Sequence, residues 1–91
     1  LYNKFNNKIT EWQVTTDQIR QSQQAVDLYS TMLGAETRLF ESGESSVFLI
    51  NAREQALINS RIKLMELLAK NRSAYYGIFY LAGKMADTYT E

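Results

Sequence analysis

From Phe5 to Phe40 an apolar residue returns at every seventh position: Phe5, Trp12, Ile19, Val26, Leu33 and Phe40. A seven-residue repeat sustained over this length marks the seam of a left-handed helical supercoil. Tyr2 and Ile9 add to the seam near the start, a partial second stripe runs through Ala25, Met32 and Leu39, and polar residues such as Gln21, Gln23 and Gln24 fill the other faces. The pattern predicts a helix over about 1–41. A second is predicted over about 47–88, where Ile50, Leu57, Leu64, Ile78 and Met85 keep the same spacing with Asn71 as a polar interruption. Val47, Leu68, Tyr75, Ala82 and Tyr89 form a companion stripe on this arm, and Ile58, Met65 and Phe79 widen its apolar face. An Asn on a seam is expected to set register rather than to hold a ligand.

Between the arms lies Ser42-Gly43-Glu44-Ser45-Ser46, a turn at 42–46. Gly at the end of an apolar-periodic run is the usual left-handed residue that closes a helix, and Ser45 or Ser46 is placed to cap the next one. So short a connection predicts an all-α fold, a long antiparallel helical hairpin of coiled-coil character over residues 1–91. A fold-back centred between Gly43 and Glu44 sets Phe40 against Val47, Ile19 against Leu68, Trp12 against Tyr75 and Phe5 against Ala82. It also sets Val26 against Arg61 and Leu33 against Glu54, where aliphatic stems would have to cover the apolar neighbour. Each arm would reach ~60 Å at the helical rise per residue. Leu57, Ile58, Leu64 and Met65 cannot all face one partner helix, so further helices, or other copies, are expected to complete the packing.

Composition narrows the chemistry. The chain has 91 residues, no Cys and no His, which removes disulfides, the commonest metal ligand and the usual general base. Ten basic and ten acidic residues cancel, which argues against a nucleic-acid partner. The longest purely aliphatic or aromatic run is Val47-Phe48-Leu49-Ile50, far from the ~18 residues of a membrane span. The chain does not begin with Met and opens on LYNKFNNKI already in helical register, which predicts a piece of a longer protein. Without His or Cys a nucleophile needs a Ser–Lys pair, and Lys63 and Lys70 lie far in sequence from the central serines. Glu36, Glu41, Glu44 and Glu54 are read as a solvated, charged tip in preference to a metal or catalytic cluster. No enzyme activity, cofactor or metal is expected. The aromatic group YYGIFY, Tyr75 to Tyr80, suits a bilayer interface, but packing at the open end of the hairpin is the preferred reading. Gly77 and Gly83 either allow close helix approach or foreshadow the end of the helix.

One stretch carries a family resemblance. AETRLFESGESSVFLINAREQALINSR, Ala35 to Arg61, is an aromatic, a lone Gly, a short polar run and apolar residues leading through Asn-Ala into a long helix that ends in YLAGKM. This resembles the repeat of TolC-like outer membrane efflux proteins, and the arms fit the family in length and heptad character, so the resemblance covers nearly the whole chain. It implies a homotrimeric parent with a β-barrel in the outer membrane and an α-helical barrel in the periplasm, this piece being the hairpin of the second repeat. It implies that the turn is the periplasmic tip, which opens the duct and docks the periplasmic adaptor of a pump whose motor lies in the inner membrane. Carried over by position, Phe40, Gly43, Glu44, Ser45 and Ser46 would form the tip and adaptor contact. Two positions depart from the pattern. Asn51 stands where many members have Asp near the pore constriction, and Phe48 lies near a second acidic position, which weighs against an acidic pore ring from this repeat. The isolated chain is expected to self-associate through its uncovered stripes. The alternative is a general coiled-coil interaction or scaffold module.

Overall fold

The computed structural model describes residues 2–90, with side chains over residues 2–87. Tyr89, expected on the companion stripe, lies outside the residues whose side chains are described. The chain is an all-α helical hairpin of two elements, α1 (Tyr2–Glu41) and α2 (Val47–Thr90). Both run without interruption because the sequence holds no Pro, and its threonines are accommodated inside a helix. Thr15, Thr16, Thr31 and Thr37 each turn their hydroxyl back onto a carbonyl four residues earlier, at 2.7–3.0 Å, so none strands a donor.

The hairpin divides into two compact units. The turn unit is Arg20–Met65, and the terminal unit combines Leu1–Ile19 with Glu66–Glu91.

In the turn unit, α2 contributes the buried Leu57, flanked by half-buried Ile50, Arg53, Ser60 and Leu64. From α1 come half-buried Val26, Tyr29 and Leu33 with the buried Ser22 and Glu36. In the terminal unit the buried positions are Thr15 on α1 and Leu67, Ala74 and Leu81 on α2. Ala74 has no exposed surface, so the helices meet there across a methyl group. Burying each such Leu is worth ~1.5–3 kcal/mol, the main favourable contribution in so small a core.

Both main seven-residue stripes lie on the seam except at Phe40, which is exposed together with its expected partner Val47, and the second line of each seam is not the expected one. On α2 it runs through Arg53, Ser60, Leu67, Ala74 and Leu81, three residues after the main positions. Val47, Leu68, Tyr75 and Ala82, the expected companions, are exposed. On α1 the second line is Lys8, Thr15, Ser22, Tyr29 and Glu36; Ala25 and Met32 reach only half burial and Leu39 is exposed. On α2 the stripe three residues after a main position and the one four residues after it are equally close neighbours, so apolar spacing alone cannot choose between them. The inward line happens to be largely polar or small, and the outward one apolar.

The facing pairs change accordingly. Within the terminal unit Asn71 reaches Thr15 and Thr16, and Gly77 sits against Lys8. Within the turn unit Arg53 reaches Glu36, while Glu54 and Arg61 are exposed and need cover nothing. Within each unit the facing pairs stay close to the expected level.

Candidate functional site

The turn is built by two complementary helix ends. Gly43 has φ +81°, in the left-handed region that favours glycine. Its N–H donates to the Phe40 carbonyl (3.0 Å), and the Glu44 N–H donates to the Leu39 carbonyl (2.7 Å). These are the two bonds of a Schellman closure, which satisfies the last carbonyls of α1. Ser42 contributes a further pair, its N–H to the Arg38 carbonyl (3.2 Å) and its hydroxyl to the Leu39 carbonyl (3.0 Å). The next helix starts at once. Ser46 is its N-cap: its hydroxyl accepts from the Leu49 N–H (3.3 Å), and its carbonyl accepts the first helical bond, from the Ile50 N–H (3.1 Å).

Ser45 does something else. Its hydroxyl donates to Glu36 Oε2 at 2.6 Å, tying the turn to the body of α1. The other carboxylate oxygen, Oε1, accepts from Arg53 Nε of α2 at 3.2 Å. One buried carboxylate thus joins α1, the turn and α2. The Ser45 hydrogen bond holds the Glu36 carboxyl below its ordinary value, burial opposes this, and Arg53 adds to the lowering through its hydrogen bond and its charge. Glu36 is therefore a structural clasp, not part of a solvated charged tip; Glu41, Glu44 and Glu54 are exposed as expected. The inward line of α1 reveals this role, whereas apolar periodicity passes over it.

Of the residues assigned to the tip, Phe40, Gly43, Glu44 and Ser46 are exposed and Ser45 is half-buried beneath them. Phe48 is 79 % exposed, the most exposed large apolar side chain among the described residues, and Asn51 is exposed one turn further along α2. Leu39, Phe40, Val47, Phe48 and Leu49 all leave large apolar surface uncovered around the turn. The tip therefore has an apolar crown on a rigidly capped turn. Away from the turn, Leu28, Ile58, Ile62 and Met65 are exposed on the same unit.

The terminal unit carries a polar bridge and a shallow groove. Asn71 Nδ2 donates to the Trp12 carbonyl (3.0 Å), Thr15 Oγ1 (2.8 Å) and Thr16 Oγ1 (3.0 Å). This is the cross-helix contact that an Asn on a seam is expected to make. Nearby, the methylenes of Lys8 lie across Gly77, where a Cβ would come 3.1 Å from Lys8 Cδ, so the missing side chain admits the lysine stem. Lys4, Asn7, Lys8, Glu11, Gly77, Tyr80 and Leu81 line a groove of about 390 Å³ there, with Lys8 Nζ 3.6 Å from Glu11. Gly83 has open space around it, so close helix approach explains Gly77 and not Gly83.

Among the described residues no group of three or more His, Cys, Asp or Glu side chains is placed to hold a metal ion. No described helix is long and apolar enough to cross a membrane. No protein-family model, curated protein or solved structure matches this chain.

Proposed function

We propose that the chain is the periplasmic hairpin of a TolC-like outer membrane efflux protein, forming part of the duct wall and, at its turn, the tip that gates the duct and meets a periplasmic adaptor. The observation that carries the reading is the turn itself: a tightly capped connection, clasped by Glu36, that holds an apolar crown outward. A turn serving only to reverse the chain gains nothing from exposing Phe48 and Val47, whereas a docking tip needs rigid apolar anchors. The uncovered Leu28, Ile58, Ile62 and Met65 support the wall role, since such a hairpin is completed by flanking helices of the parent and of its homotrimeric partners. The role is mechanical, with no chemistry of its own. Asn51 and Phe48, near positions where acids line the family's constriction, make this repeat a weak contributor to cation selection.

The test is efflux by the full-length parent with charge placed in the crown. Phe40→Asp alters an exposed side chain assigned to the tip and Gly43→Arg alters the turn, and outer-membrane abundance is measured for both. The reading predicts normal abundance of Phe40→Asp with impaired drug resistance and weaker adaptor cross-linking. Normal resistance and adaptor capture with Phe40→Asp would overturn the tip assignment, and absence of the parent from the outer membrane would overturn the whole.

A further inference from the structure

One seven-residue line runs through both helices without a change of phase. At every seventh position from Lys8 to Glu36 on α1, and from Ile50 to Met85 on α2, the side chain is buried or half-buried. These are a single series, because the seventh position after Glu36 is Gly43 and the next is Ile50. A hairpin does not require this, since its turn is free to restart the phase. Gly43 is also the midpoint. Equal steps outward from it pair Thr15 with Asn71, Ser22 with Leu64 and Tyr29 with Leu57, all on the line, and Asn71 Nδ2 does donate to Thr15 Oγ1 at 2.8 Å.

The same register serves two straight helices lying antiparallel about a two-fold axis at Gly43. Each α1 then meets the other copy's α2 at the level where it meets its own in the hairpin, so the Asn71 bridge to Thr15 and the Arg53 pair with Glu36 re-form between copies. Little opposes the straightening. Gly43, at φ +81°, is the one described residue with positive φ, and only residues 42–46 separate the helices. Straightening also places Phe40, exposed in the hairpin, on the seam beside the axis. The inward flanking line lies four residues after the common line on α1 and three after it on α2, so a straight helix takes up one local overwinding at its centre. Two features belong to the closed hairpin alone. One is the left-handed Gly43. The other is the Ser45 bond to Glu36, since on a straight helix these residues stand ~13 Å apart.

We propose that the chain has a second folded state, a domain-swapped dimer in which two copies open at Gly43 and exchange α2, and that the Gly43 turn and the Ser45–Glu36 bond hold the hairpin closed against it. The inference does not depend on the efflux reading, since it uses only the seam and the turn of this chain, and the hairpin of that reading is the closed state.

Ultracentrifugation of the full chain over a concentration series, with a distance measured across the turn, tests it. At high dilution Gly43→Ala is a weakened hairpin. As concentration rises it is expected to dimerise at least about a hundredfold more tightly than the unsubstituted chain, because Ala both strains the left-handed turn and favours a continuous helix. Ser45→Ala, which removes a bond found only in the closed form, is expected to tighten dimerisation by about tenfold. Gly34→Ala, the same change as at Gly43 but inside α1, is expected to leave dimerisation as it is. The chain has no Cys, so spin labels are placed at Gln24→Cys and Lys63→Cys, both exposed on the turn unit. Labelled chain is mixed with excess unlabelled chain in urea and refolded, so that only labels on one chain are read. The closed hairpin holds them within ~30 Å, and the swapped dimer sets them ~60 Å apart. The long distance is expected in the Gly43→Ala dimer. A Gly43→Ala chain that dimerises no more tightly than the unsubstituted one, or a dimer whose labels keep the short distance, would overturn the proposal, the second by making the dimer a contact between exposed faces of closed hairpins. Circular dichroism confirms that each variant is helical. Were Gly43→Ala unfolded, unchanged dimerisation of Ser45→Ala would overturn the proposal in its place.

Discussion

Replacing Asn71 by Ala removes the polar bridge of the terminal unit. The amide has two N–H groups facing three acceptors, the Trp12 carbonyl and the hydroxyl oxygens of Thr15 and Thr16 at 2.8–3.0 Å, so it supplies at most two full hydrogen bonds. At a net value of ~1 kcal/mol per bond the expected loss is ~1–2 kcal/mol. It stays in that range because the substitution strands no donor. Thr15 still donates to the Glu11 carbonyl (2.8 Å) and Thr16 to the Trp12 carbonyl (2.7 Å). Urea unfolding followed by circular dichroism and by the fluorescence of the single Trp, at fixed protein concentration, gives the difference directly. Combining the change with Thr15→Val, at a residue only 2 % exposed, is expected to give a coupling of ~0.5–1 kcal/mol, since Thr15 is one of three acceptors sharing two hydrogens. Asn71→Leu is expected to fall within ~1 kcal/mol of the parent, because apolar burial offsets the lost bonds. Its cost would be a broader range of associated species, as an all-apolar stripe specifies register less well. Unchanged stability of Asn71→Ala, or a coupling indistinguishable from zero, would refute the bridge.

Gly43→Ala forces a side chain into the left-handed region at φ +81° and is expected to cost ~1–2 kcal/mol in urea unfolding, whereas Gly34→Ala, with open space around its Cβ, is expected to gain ~1 kcal/mol from helix propensity. Ser46→Ala removes the cap on the Leu49 N–H and is expected to cost ~1 kcal/mol, with amide exchange accelerated in the first turn of α2. Because folding holds the Glu36 carboxyl below its ordinary value near 4.5, its stabilising contribution is complete above that pH and is lost as the pH falls through the lower folded value. A pH series of unfolding midpoints should therefore show an acid-side loss that Glu36→Gln diminishes, and an identical acid dependence in the two proteins would contradict the clasp.

The hairpin was legible because its signals are local. The repeat of Trp12, Ile19, Val26 and Leu33, its echo in Leu57 and Leu64, and one Gly followed by serines define two helices and a reversal without any knowledge of tertiary contacts. The second line of the seam was not legible, because its members are Thr15, Ser22 and Glu36 on one helix and Ser60 and Ala74 on the other, residue types that hydrophobic periodicity discards. Their burial depends on hydrogen bonds that only the paired helices supply, as Asn71 does for Thr15 and as Ser45 and Arg53 do for Glu36. The outward apolar line, from Val47 through Leu68 to Tyr75, is exposed and so misleads a reading that assumes every apolar stripe faces the partner arm. The turn was placed by the lone glycine, which has the left-handed φ such a closure needs. The separation of Ser45 from Ser46, one a clasp and the other a cap, rests on where each hydroxyl points.

The most direct measurement of the duct account is cysteine cross-linking in the full-length parent, with Met65→Cys placed on the uncovered flank of the turn unit, where Met65 is 61 % exposed. In cells producing this variant from a parent otherwise free of cysteine, a wall segment of a trimeric duct predicts cross-linked parent subunits, or an intramolecular link to the first repeat when a second cysteine is placed there, both in the outer-membrane fraction. A parent recovered only from the cytosol or inner membrane, or one that reaches the outer membrane with Met65→Cys open to bulky water-soluble thiol reagents and never cross-linked, would contradict it.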